Sequence, residues 1–276
     1  MKSKFWQNVK FVLITCILIP GIFIVLVEVM LRVSDYGYPP HFFVKDTING
    51  KAYYVNNYKF SWRFFPKPMA RISASLRVPV EKDKNALRVF VLGESAAQGD
   101  PDVSFGFSRM LEAMLEKNYP DKKIEIYNTA VTAINSNVIV PIVQDCVPLQ
   151  PDLFIIYMGN NEVIGPYGLS SALTPFFSNL NVIRAQVWLS KTKIGQLIRE
   201  NSGKRTIDQQ EWQGMELFVK NKVRYGSPDL EKIYNHFEGN LSTIIQEATG
   251  AGAKVIVSTI ITNERDCAPF FSEHAN

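Results

Sequence analysis

The order of elements along the chain predicts an α/β protein, a parallel sheet between helical layers, preceded by one N-terminal transmembrane helix. Three observations carry this expectation. Strand-forming runs at Val89 to Leu92, Lys123 to Tyr127, Pro151 to Met158 and Lys254 to Ile260 alternate with amphipathic stretches, the pattern of parallel strands joined by right-handed helical crossovers. The run Val89 to Leu92 lacks a polar break, as strands covered on both faces do. Phe11 to Val27 is a nearly unbroken apolar run behind Lys2, Lys4 and Lys10, which reads as a membrane segment with a positive flank.

Composition bounds what this chain can be. Its 276 residues are 46% hydrophobic, enough for one sizeable domain and an anchor but hardly for two full domains. The charge of +4 is spread over 30 basic and 26 acidic residues without a long basic run, which argues against a nucleic-acid partner. The expected organisation is an anchor over 1–33, an aromatic-rich lead-in over 34–86, and a main domain over 87–276 with an insertion at about 163–228.

Taken in order, the anchor comes first. Val9 and the stretch Val29 to Val33 can lengthen the apolar run, with Glu28 and Arg32 reaching the interface. No Ala-x-Ala-like cleavage site follows, so a retained helix is expected rather than a removed signal. The preceding lysines place the N-terminus in the cytoplasm and the main domain outside, periplasmic or extracellular. Cys16 lies mid-run; Cys146 and Cys267 would both face the outer compartment, where they can pair or remain free buried thiols.

Aromatics crowd the lead-in, Tyr36, Phe42, Phe43, Tyr54, Trp62 and Phe64 among them, and packing against the main domain is expected over a place at headgroup level. Ala52 to Val55 and Ile72 to Val78 read as strands of a small hairpin-like layer. Helices are expected over Phe107 to Asn118 and Ile134 to Cys146, and again within the insertion, where Asn181 to Arg199 is amphipathic. Trp188, Trp212, Met215 and Phe218 read as core, with a substrate-cleft wall as the alternative. A long helix follows, its apolar face marked by Leu230, Ile233, Phe237, Leu241 and Ile244. His236 falls off that face and reads as solvated.

Chemistry gathers at strand ends, where sites on parallel sheets lie. Ser95 stands where the first strand turns into a helix, in Gly93-Glu94-Ser95-Ala96-Ala97-Gln98-Gly99. A serine there is either an ordinary helix cap or a nucleophile beside free backbone donors. Ala97 breaks the Gly-x-Ser-x-Gly elbow of the α/β-hydrolases. The stretch instead resembles the first block, Gly-Asp-Ser-x-x-x-Gly, of the SGNH (GDSL) hydrolases, with Glu94 for aspartate. Asn128-Thr129-Ala130-Val131-Thr132-Ala133 resembles their second block, Asn-x-Gly-x-x-Gly, with both glycines replaced. Gly159-Asn160-Asn161-Glu162 resembles the third, Gly-x-Asn-Asp, with glutamate for aspartate. The anchor, the insertion and the loop Asn263 to Phe271 further resemble membrane-anchored SGNH proteins in which tetratricopeptide-type repeats precede the last catalytic block.

The resemblance implies a flavodoxin-like three-layer domain with four of its five strands present, and an esterase mechanism without cofactor or metal. Ser95 would be the nucleophile, and the Ser95 and Ala130 N–H groups with the Asn161 side chain would hold the oxyanion. The substrate class is an acyl ester, a glycan O-acyl ester by family habit, and acyl transfer to another hydroxyl is chemically adjacent. Should Ala130 need positive φ, as the glycine it replaces allows, its backbone would be strained. The family takes its base from a late Asp-x-x-His block, and no such block occurs here. Of the three histidines His41, His236 and His274, the last is nearest in order, and the resemblance implies that the true block lies beyond Asn276. A degenerate binding or assembly module is the competing expectation.

Overall fold

The computed structural model describes residues 11–12, 14–171, 174–202, 223–224, 226–263 and 265–266. The expectations at Trp212, Met215, Phe218, Cys267 and His274 lie outside the described residues. Helix Ile14–Val33 has 20 residues and a mean hydropathy of 2.6, long and apolar enough to cross a membrane. Its first turn, Ile14–Leu18, is π-type, and α1 covers Ile19–Val33. At about 1.5 Å per residue it spans ~30 Å, the thickness of bilayer hydrocarbon.

In the lead-in, β1 (Phe43–Ile48) and β2 (Lys51–Asn56) form a hairpin that β3 (Arg77–Pro79) extends, all antiparallel. Asn49 and Gly50 turn the hairpin with φ of +52° and +75°, the left-handed pair that a two-residue connection matched to strand twist requires. The expected strand from Ile72 is corrected to Arg77–Pro79, and β1 takes its place as the hairpin partner. Phe42, Phe43, Phe60, Phe64 and Phe65 are buried in one cluster with Phe90, Leu92, Phe154 and Ile156 of the main sheet. The aromatics therefore pack inward, because the sheet offers them an apolar face.

Four parallel strands make that sheet: β4 (Ala86–Gly93), β5 (Lys123–Asn128), β6 (Leu153–Tyr157) and β7 (Lys254–Val257), in the order β5-β4-β6-β7. With a strand on each side, β4 carries Val89, Phe90, Val91 and Leu92 at 1% exposure or less. Phe107 and Leu111 of α2 (Phe107–Asn118) pack against Val89, Val91 and Ile155 on one face. On the other, α3 (Ser136–Cys146) and α6 (Pro228–Gly250) supply Val138, Ile142, Ile244 and Ala248. Cys146 is a free thiol at the end of α3, and its burial pushes its pKa well up.

The single amphipathic stretch expected over Asn181 to Arg199 is two helices, α4 (Leu180–Leu189) and α5 (Lys193–Ser202). Arg63, fully buried, donates to Val187 O (2.9 Å) and Ser190 Oγ (3.0 Å) and so meets the carbonyl end of α4. Thr192 Oγ1 then accepts from Gly195 N–H, while the Glu28 carboxylate of α1 accepts from Lys193 N–H (3.0 Å) and Ile194 N–H (2.9 Å). This caps α5 from α1. His236 is corrected as well: it is 5% exposed, near the Phe176 ring, with Nε2 3.2 Å from Ser178 O. The approach to α4 covers the face of α6 that its own periodicity assigns to solvent.

Candidate active site

Gly93 ends β4 beside Tyr157, and a Cβ there would collide with the Tyr157 carbonyl oxygen and Ala97 Cβ. Only glycine lets the two strand tips approach so closely. The chain then enters a single helical turn, Ser95–Gln98, closed by Gly99 at φ +89°. Ser95 is its first residue and half-buried. Gln98 N–H returns to Glu94 O and Gly99 N–H to Ser95 O, which leaves the Ser95 N–H without an intrahelical partner.

Each neighbouring loop is tied to this turn. Val131 N–H donates to Gly93 O (3.3 Å), and Thr132 Oγ1 lies 2.8 Å from Gln98 Oε1. Asn128 Nδ2 donates to Ala97 O (2.7 Å) and Ser108 Oγ (3.0 Å), while its Oδ1 accepts from Ala130 N–H at 3.1 Å. Asn161 Nδ2 donates to Ile134 O at 3.0 Å, and Gly159 N–H to Glu94 Oε1 at 3.1 Å. The loops after β4, β5 and β6 thus form one hydrogen-bonded assembly around the Ser95 turn.

Two buried acids hold that assembly. Glu94 is 1% exposed and its Oε2 has no partner. Desolvation, then the nearby Glu162, push its pKa up to about 8 against the N–H groups of Gly159, Asn161 and Asn160. Glu162, 8% exposed, accepts from Ser136 N–H (2.8 Å) and Ser136 Oγ (2.7 Å) and so caps α3. Burial raises its pKa too, against the bonds from Ser136. Asn240 of α6 completes the network, donating to Ser136 Oγ (3.0 Å) and Asn137 Oδ1 (2.8 Å).

Of the residues the sequence singled out, Ser95 and Asn161 stand on adjoining loops of this assembly. Ala130 is buried beneath it, with its N–H engaged by Asn128. Positive φ falls at Ala133 (+65°), not at Ala130. Among the described residues no partner meets the Ala133 N–H and no side chain hydrogen-bonds Ser95 Oγ. The signal for Ala133 was present in the sequence, since it too replaces a glycine of the second block. His41 pairs with Asp145 Oδ1 at 2.8 Å, and His236 serves Ser178. Among the described residues no group of His, Cys, Asp and Glu is arranged to hold a metal ion.

No protein-family model matches the chain, and no curated protein does. Two solved esterases resemble it distantly. One is AlinE4, an SGNH-hydrolase family esterase: 16% identity over 64% of this chain and 77% of that one, TM-score 0.28. The other is the acetyl xylan esterase AlAXEase: 12% identity over 62% and 76% of the two chains, TM-score 0.31.

Proposed function

We propose that the chain is a membrane-anchored, outward-facing ester hydrolase of SGNH type, with Ser95 as nucleophile. One observation supports this above the others: the three loops that resemble the SGNH blocks are bonded to one another around Ser95, through Glu94, Asn128 and Asn161. An ester carbonyl beside Ser95 would be attacked by Oγ, and the oxygen that becomes negative would be met by neutral donors. The Ser95 N–H and the second Asn161 Nδ2 hydrogen are two of them. The third place passes from Ala130, whose N–H is taken, to Ala133, whose N–H meets no partner among the described residues. The base that takes the Ser95 proton is not among the residues hydrogen-bonded to it. Lysines ahead of the apolar helix favour an inside N-terminus, and a glycan O-acyl ester is the proposed substrate class.

A fluorophosphonate probe should label the protein and spare Ser95→Ala, whose ester turnover should fall by about 10⁴ or more. Equal labelling of the two would remove Ser95 from the mechanism. A second reading, an anchored binding module that no longer catalyses, is favoured by Ser95 Oγ having no side-chain partner among the described residues; it predicts no labelling of either protein. Acyl transfer to a carbohydrate hydroxyl instead of water uses the same residues and would appear as an acylated acceptor in place of free acid.

A further inference from the structure

Away from the strand tips, a groove of about 280 Å³ runs between α3, α4 and α6. Its charged lining residues, Arg184 and Lys191, are both cations, and no carboxylate lines it. Asn137, Gln144 and Asn240 stand in its walls, their amide nitrogens already donating within the protein, and Trp188 stands at the rim, 66% exposed. Arg184 Nη2 is bonded to neutral acceptors, Gly239 O and Thr243 Oγ1. Lys191 is half-buried and, among the described residues, in no ion pair. Burial, then Arg63, hold its ammonium below the ordinary lysine value, and Asp145 and Glu247 offset this only in part. Arg63 itself adds buried positive charge behind Val187, bonded to Ser190 Oγ, Pro40 O and Val187 O, all neutral. Glu247 stands behind the wall, bonded to Gln144 Nε2 at 3.0 Å; a recess lined by two cations and an exposed indole is complementary to an anion on a partly apolar frame.

The chain says where that anion comes from. Two residues beyond Lys191, Lys193 N–H donates to Glu28 of the anchor helix, so the cationic end of the groove lies within about 7 Å of chain from that helix. Glu28 is near the outer end of the apolar span, where headgroups begin and where Trp and Lys side chains are favoured. We propose that the groove seats the phosphate-bearing headgroup of an anionic phospholipid drawn from the leaflet around the anchor. This rests on the reading that Ile14–Val33 crosses a membrane. Arg184 and Lys191 flank the phosphate, and the glycerol frame lies against Trp188 and the apolar wall.

The full chain, purified in detergent, tests this by native mass spectrometry with phosphatidylglycerol, phosphatidylcholine or free glycerol phosphate. The wild type should retain phosphatidylglycerol over the other two. Lys191→Ala and Lys191→Glu should each lower that retention by about tenfold or more, with Lys191→Arg close to wild type. Equal retention of the two lipids, binding of glycerol phosphate as tight as the lipid, or unchanged retention in both Lys191 variants would overturn the proposal. Carbonate extraction of membranes reports separately on the anchor. A chain that extracts fully is not spanning, whatever the lipid measurement returns.

Discussion

The two ends of β4 bury charge in opposite ways. At its start Arg88, 1% exposed, donates from Nε to Glu125 Oε2 at 2.8 Å and from Nη1 to Leu149 O at 2.7 Å. Lys123 lies 3.0 Å from the same carboxylate. Burial alone would raise the pKa of Glu125, but its bonds to Arg88 and Lys123 hold it below the ordinary value. At the far end Glu94 and Glu162 are buried without a cation, each held mainly by backbone or hydroxyl donors. Their pKa values rise. One end pairs its charge; the other buries two carboxyls whose charged form is disfavoured, beside Ser95, a pattern that clusters at functional sites.

The sharpest way to break this comparison is Arg88→Ala, which strands Glu125 and should cost about 3 to 5 kcal/mol by thermal or denaturant unfolding. Glu94→Gln at the other end should cost far less at pH 8, since it removes a carboxylate rather than orphaning one. A loss as large as that of Arg88→Ala would mean that Glu94 is charged and paired.

The pH dependence comes next in size. Glu94 titrates near 4.5 unperturbed and near 8 in the folded protein, so between those values the folded state holds the extra proton. Stability is therefore fully present below the lower value and is lost as pH rises towards the upper one, by about 1 kcal/mol per pH unit. Glu162 tilts the curve in the same direction. Denaturant melts across pH 5 to 8, roughly the window set by these shifts, should flatten in Glu94→Gln; a slope unchanged by the substitution would assign it elsewhere.

Smaller effects probe the remaining regions. Glu28→Ala uncaps α5, worth about 1 kcal/mol, and should speed hydrogen exchange at the Lys193 and Ile194 amides while leaving β4 protected. Smallest is Ile256→Thr on β7, where the side chain is 53% exposed: a change within about 0.5 kcal/mol is expected.

Why the sheet was legible and parts of the site were not follows from particular residues. Val89 to Leu92 and Leu153 to Tyr157 are apolar on both faces, and such runs have few homes other than a covered parallel strand. Local pattern located the Ser95 turn equally well. It did not locate contacts made across long separations. His236 looks exposed on its own helix and is covered by the segment around Phe176 and Ser178. Arg63 looks like a surface residue of the lead-in and instead terminates α4. The hairpin at Asn49-Gly50 was local and could have been read, its turn type being written in the dipeptide. The choice between Ala130 and Ala133 depends on a side chain, Asn128, folding back on its own loop.

The bond from Glu28 to the start of α5 has a mechanical consequence. Tyr36 Oη also donates to Glu200 Oε2 (2.6 Å), and Gln196 exchanges two bonds with the backbone of Tyr38. The residues that leave the apolar helix are thus clasped by α5 instead of paying out as slack cord. In a bilayer the loops around Ser95 would keep a set height and bearing above the lipid, and the ester substrate proposed for them would have to come to that one standoff.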